Sequence, residues 1–202
     1  MSEQTLVSMD TYRPEKIGKM IAWAGDHFVY EYGADQVIKF SKLDRMMGQE
    51  KAGEKSVAEY ELCRKYFGDF ILETRIVSSP DGRRVAKLQQ KISGRFLKKA
   101  DLSDERVRAQ WVELLRCYDQ YVASGAPFLD LLGQMGVWRR CLSNIFVTPE
   151  HTLILFDATV FTPDDFPRWQ WPVIYVLLIV ARILQRRRVE EFRRCSLRGH
   201  SL

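Results

Sequence analysis

Between residues 28 and 92 the chain reads as two strand pairs separated by one helix, and this alternation constrains the fold more than any other feature. Phe28-Val29-Tyr30-Glu31-Tyr32 and Val37-Ile38-Lys39-Phe40 are dominated by β-branched and aromatic residues, which suit a pleated surface. Gly33-Ala34-Asp35-Gln36 joins them as a hairpin connection. From 48 to 67 the period changes. Val57, Tyr60, Leu62, Cys63, Tyr66 and Phe67 recur at helical spacing among charged residues, and Gly68 ends the run. Residues 70–78 and 83–92 are two more strands around the turn signal Pro80-Asp81-Gly82. The first 92 residues therefore read as a mostly antiparallel sheet plus one helix.

The second half is largely helical. A helix begins near Asp101 and carries Val107, Trp111, Leu114, Leu115, Tyr118 and Val122 as its apolar face, until Ser124-Gly125-Ala126-Pro127 stops it. Residues 144–148 and 152–156 form a short strand pair, with Asp157 at its outgoing end. The fold class is α+β. With 202 residues, 46% hydrophobic and 28% charged, the chain builds its own core. Disordered, collagen-like and disulfide-stapled classes are excluded. Four widely spaced cysteines and three histidines exclude zinc-ribbon, thioredoxin and His-rich metal readings. Residues 1–16 are polar, so they read as a loose arm and not as a signal peptide, and the expected compartment is the cytoplasm.

Charge is concentrated at the other end. Residues 182–198 hold seven arginines and two glutamates, an excess equal to the whole net charge of +5. Before them, residues 171–181 carry no charge. That run is shorter than the roughly 20 residues of a membrane span, and Pro172 suits a first helical turn. Residues 171–184 are expected to be a buried helix. The alternative is peripheral membrane contact, with the basic flank facing an anionic leaflet. The arginines also suggest a phosphate-bearing polymer, but no aromatic platform accompanies them beyond Phe192, which argues against nucleic acid.

The order is now hairpin, Lys-bearing strand, helix, two strands, linker, helix, Asn, hairpin, Asp. Over residues 17–185 it resembles the protein-kinase-like superfamily, in the compact form of bacterial small-molecule and lipopolysaccharide kinases. The resemblance implies a reduced bilobal fold, with an N-lobe over 17–92, a helical C-lobe over 95–190 and a basic tail over 191–202. It implies ATP and Mg as cofactors. Lys39, inside Val37-Ile38-Lys39-Phe40, would meet nucleotide phosphates as a point charge of fixed position. Glu59, preferred over Glu54, would orient it from the helix. Gly25 would let backbone approach phosphate, and Gln90 to Ile92 would offer backbone groups to adenine. Asn144 and Asp157, 13 residues apart, are the implied oxygen ligands of Mg.

The sequence also departs from that family. Five residues before Asn144, where the family has its catalytic aspartate, stands Arg139, which cannot accept a proton. Asp130 is the nearest aspartate upstream, and it enters the site only if 133–141 is an insertion. The glycine after the metal aspartate is replaced by Ala158, and only 45 residues follow Asp157, so a peptide substrate is not expected. Two functions follow from the resemblance: phosphotransfer to a hydroxyl of a small molecule, lipid or saccharide, or an inactive kinase-like module that binds a protein partner.

Overall fold

The computed structural model describes residues 10–24, 27–41, 49–157, 159–162 and 166–198. The chain divides into two compact units. One comprises Met1–Tyr60 with Glu73–Lys91, and the other Glu61–Leu72 with Ile92–Leu202.

The first unit is a six-stranded sheet. Its strands are β1 (Asp10–Thr11), β2 (Ile17–Ala24), β3 (His27–Tyr32), β4 (Gln36–Ser41), β5 (Thr74–Ser78) and β6 (Val85–Gln90), in the spatial order β1-β5-β6-β4-β3-β2. All pairs are antiparallel except β1 with β5. The connection from β3 to β4 turns at Gly33, whose φ of 65° a side chain would resist. Helix α1 (Gln49–Phe67) follows β4 and ends at Gly68, φ 50°. Alternation along the strands gives the sheet two faces. Ile38, Ala86 and Leu88 pack with Tyr12 and Val77 on one of them. The loose arm expected over 1–16 is corrected in its described part. Asp10–Thr11 pairs with β5, and Tyr12 is buried because its ring closes the apolar face of the sheet.

In the second unit, β7 (Arg95–Leu97), β9 (Leu142–Val147) and β10 (Leu153–Leu155) form a sheet in the order β10-β9-β7. The pair β8 (Phe128–Leu129) and β11 (Val160–Phe161) forms a second, smaller one. The helices are α2 (Glu105–Ala123), α3 (Gly133–Arg139) and α4 (Trp171–Arg198). Asp104 caps α2 by accepting from the Arg106 and Val107 amides, two of the donors a helix start leaves free. The buried stripe of α2 is Val107, Trp111, Leu114, Leu115, Cys117 and Tyr121. Val122, expected inside, is exposed, because Tyr121 takes the inward position and its hydroxyl donates to the Pro127 carbonyl. Trp111 meets Phe192 of α4 edge-on at 5.6 Å.

The expectation for residues 171–184 is corrected. The helix continues to Arg198 and so takes in residues 191–198 of the basic tail. Its first half is not a core helix, since Val173, Val176, Leu177 and Ile179 are all more than half exposed. Only one stripe of α4 packs inward, through Gln185, Val189, Phe192 and Ser196.

Candidate functional site

In the first unit, Lys39 sits on β4 directly opposite Lys87 on β6. Residues opposite each other in a ladder share a face, so both lysines project from the same side of the sheet, with Lys39 only 6% exposed. Like charges in that relation repel. Glu59 of α1 offsets this: its Oε2 lies 3.6 Å from Lys87 Nζ and its Oε1 3.3 Å from Lys55 Nζ. The preferred glutamate thus stands on the face that carries Lys39, whereas Glu54 is exposed. Lys87 was not picked out in the sequence. Its signal was available, since Lys87 alternates with the apolar Ala86 and Leu88.

Gln90 is the exposed last residue of β6, and Ile92, half-buried, opens the second unit's main stretch. Between them the Lys91 amide donates to the Asp35 carbonyl at 2.7 Å. Gly25 lies outside the described residues.

The second unit brings Asp130, Asn144 and Asp157 together. Asn144, 7% exposed near the start of β9, donates from Nδ2 to the Asp130 carbonyl at 2.7 Å. Its own carbonyl accepts from the Phe156 amide at 3.2 Å, which ties the residue before Asp157 to it. The Asp130 amide donates to the Thr159 carbonyl at 3.1 Å, and Thr159 Oγ1 donates to Asp157 Oδ1 at 2.9 Å. Three segments are therefore closed into one hydrogen-bonded ring around the two aspartates and the asparagine.

Position 139 contributes nothing to this ring. Arg139 is exposed at the end of α3. The chain leaves at Leu132, makes α3, passes Arg140 in the left-handed region (φ 52°) and returns. On return, Ser143 N donates to Leu132 O at 3.0 Å, and Ser143 Oγ bonds the same carbonyl while accepting from Gly136 N. Residues 133–141 are thus looped out, and this places Asp130 beside Asn144. The Asp130 Oδ1 accepts from the Leu132 and Gly133 amides at 2.9 and 3.0 Å, fixing the turn. Gly133 is required there twice over. Its φ is +58°, and an added Cβ would overlap Ser143 Oγ and come within 2.5 Å of Asn144 Oδ1.

Gln185 holds this loop from behind and was missed in the sequence. It is fully buried. Its Oε1 accepts from Leu131 N at 2.8 Å, and its Nε2 donates to Leu129 O at 2.8 Å and to Tyr118 Oη at 3.0 Å. Burial pushes the Tyr118 hydroxyl pKa up, against a smaller opposing effect of the Gln185 hydrogen bond, so the phenol stays neutral. The available signal was a lone glutamine in register with the inward positions of α4.

The donor set fits a hard divalent cation. With Nδ2 of Asn144 committed to a carbonyl, its remaining polar side-chain atom is an oxygen acceptor, and Asp157 adds a carboxylate. Among the described residues no group of three or more His, Cys, Asp or Glu side chains can hold a metal. A cation here would complete its shell with water and phosphate oxygens, as Mg characteristically does.

The elements run in a mixed α+β order, from the Lys-bearing strand β4 through α1 to the Asn and Asp around β9 and β10. No family model matches the sequence, and no curated protein sequence matches it. Among solved structures, PpkA-294 in its apo form is 16% identical, with a TM-score of 0.46 over 73% of this chain and 60% of that one. The amicoumacin kinase hAmiN, in complex with AMP-PNP, Ca2+ and Ami, is 18% identical with a TM-score of 0.34, over 56% of this chain and 37% of that one. APH(2")-IIia in its GDP and kanamycin complex is 18% identical with a TM-score of 0.33, over 56% and 41%. The chain thus spans less than two thirds of the length of each of these three proteins.

Proposed function

We propose that this chain is an ATP- and Mg-dependent phosphotransferase acting on a hydroxyl of a small molecule, lipid or saccharide. The observation that carries the reading is the ring joining Asp130, Asn144 and Asp157. It ties the Asp130 backbone to Asn144, which supports Asp130 as the stand-in for the aspartate whose usual sequence position is held by Arg139. Asn144 Oδ1 and Asp157 are the residues that would hold Mg, which when bound neutralises charge on the transferring phosphoryl group. Lys39 contributes a buried positive charge toward nucleotide phosphate, and Glu59 orients it. Gly25 and the backbone of Gln90 and Ile92 complete the proposed nucleotide contacts. Asp130 orients the acceptor hydroxyl and takes its proton as the new O–P bond forms and the bond to the leaving ADP breaks.

One observation favours a second reading, an inactive kinase-like module that binds a protein partner. Asp130 Oδ1 already accepts two backbone amides, a role that needs no substrate.

Thermal melting with ATP, with Mg and with both separates the two. A ligand at 100 times its Kd stabilises by about 2.7 kcal/mol, a rise of roughly 5–10 °C for a chain this size. ATP with Mg is expected to raise the midpoint more than the sum of either alone. Asp157→Asn should remove most of that synergy. Asp130→Asn should keep it and lower ADP formation by about 100-fold or more. A well-folded wild type with no shift at millimolar ATP and Mg overturns the phosphotransfer reading. A shift with no ADP formed across a broad set of sugars and lipids favours the partner-binding module.

A further inference from the structure

The first half of α4 breaks the usual pattern of a surface helix. Its second half is amphipathic: Gln185, Val189, Phe192 and Ser196 face inward, and Arg186, Arg187, Glu191 and Arg194 face outward. Between 172 and 184, only Ile174, Leu178 and Ala181 are partly covered, while Val173, Tyr175, Val176, Leu177, Ile179, Val180, Ile183 and Leu184 are exposed. A helix apolar on all sides is stable only when something covers it. This one is also held firmly. Gln185 is hydrogen-bonded to the 129–131 segment, and Arg193 forms a bidentate pair with Asp119 of α2. The apolar half is therefore presented from a fixed base.

Charge identifies the occupant. No acidic residue occurs between Phe166 and Val189, whereas Arg168, Arg182, Arg186, Arg187 and Arg188 do. Arg182, Arg186 and Arg187 are exposed next to the apolar surface. Two-fold pairing of this helix with a second copy would bring like charges together. Trp169, 79% exposed, stands just before the helix, and Trp171 and Tyr175 lie in its first turns. Such rings favour the boundary between hydrocarbon and water. No helix among the described residues is long and apolar enough to cross a membrane. About 20 Å long, the apolar half has one side, Ile174, Leu178 and Ala181, partly covered by protein, which leaves its other sides for a lipid surface.

We propose that residues 169–187 form a peripheral membrane-binding surface, with the apolar half of α4 in the acyl boundary and Arg182, Arg186 and Arg187 on lipid phosphates of an anionic bilayer. This stands independently of the phosphotransfer reading.

The test is co-sedimentation of the full chain with vesicles of phosphatidylcholine alone and of phosphatidylcholine mixed with phosphatidylglycerol. Binding should be several-fold stronger to the anionic vesicles and should weaken as salt rises. Arg186→Gln and Arg187→Gln should each weaken it by about fivefold without changing binding to phosphatidylcholine. The double variant Val176→Glu/Val180→Glu should abolish binding to both while keeping the wild-type urea midpoint, because both side chains are exposed. Tryptophan emission should shift to the blue on binding. Equal affinity for the two vesicle types, or no binding to either, overturns the proposal. So does a wild-type dimer in sedimentation velocity that the double variant converts to a monomer without any vesicle binding.

Discussion

Gly133 is the residue on which the candidate site turns most sharply. It combines a left-handed backbone with contact against the side chains of Ser143 and Asn144. Gly125, which ends α2, has a similar φ of +73° but open space around it. The pair separates two effects. Gly125→Ala should cost only the backbone penalty, about 1–2 kcal/mol. Gly133→Ala should cost that plus about 1–3 kcal/mol of overpacking, and should also displace Asn144. Urea unfolding of the two variants checks the difference. Equal losses would mean that Asn144 is not held by this contact.

Elements are joined here by single polar residues. Gln185 ties α4 to the loop that carries Asp130, through two backbone groups that have little access to water. Gln185→Leu keeps the volume and removes both bonds. It should cost about 2–5 kcal/mol, because each abandoned buried group costs about 1–3 kcal/mol. The denaturation midpoint measures this. Helix α2 depends on Asp104 at its N-terminus. The Val107 amide, and after it His151, hold the Asp104 carboxyl below the usual aspartate range. A lowered folded pKa stabilises above the unfolded value and is lost as pH falls through the folded one. The wild type should therefore lose part of its melting midpoint below about pH 4. Asp104→Asn keeps a capping oxygen and should flatten that part of the profile, whereas Asp104→Ala should lower the midpoint at neutral pH.

At the scale of the whole molecule, the thiols report on one unit alone. Cys63, Cys117, Cys141 and Cys195 all fall in the second unit, and none of the four is in a disulfide. Burial raises the pKa of the Cys117 and Cys141 thiols, and Cys63 is fully buried. Only Cys195 is partly accessible. A thiol reagent should modify one cysteine quickly and the other three at the rate at which the second unit opens. Reductant should leave the melting midpoint unchanged. Rapid modification of more than one thiol in the native protein would contradict the burial described.

By itself the sequence determined what local period and turn chemistry can determine. The hairpin of β3 and β4, helix α1 with its Gly68 stop, the Pro80-Asp81-Gly82 turn and the strands around Asn144 were legible, because each is encoded within a few residues. Lys39, Asn144 and Asp157 became candidates through the family resemblance that the order of those elements suggests. The tertiary structure alone decided the rest. It looped out residues 133–141 and so set Asp130 beside Asn144. It opposed Lys39 with Lys87 under Glu59, and sent Gln185 under the Asp130 loop. These are pairings across 14 to 56 residues, fixed by packing and hydrogen bonds that no local pattern carries. The same cause accounts for α4. An apolar run specifies a helix and a need for cover, but whether protein supplies the cover depends on how many elements surround it, and among the described residues one stripe of the first half, Ile174, Leu178 and Ala181, is partly covered.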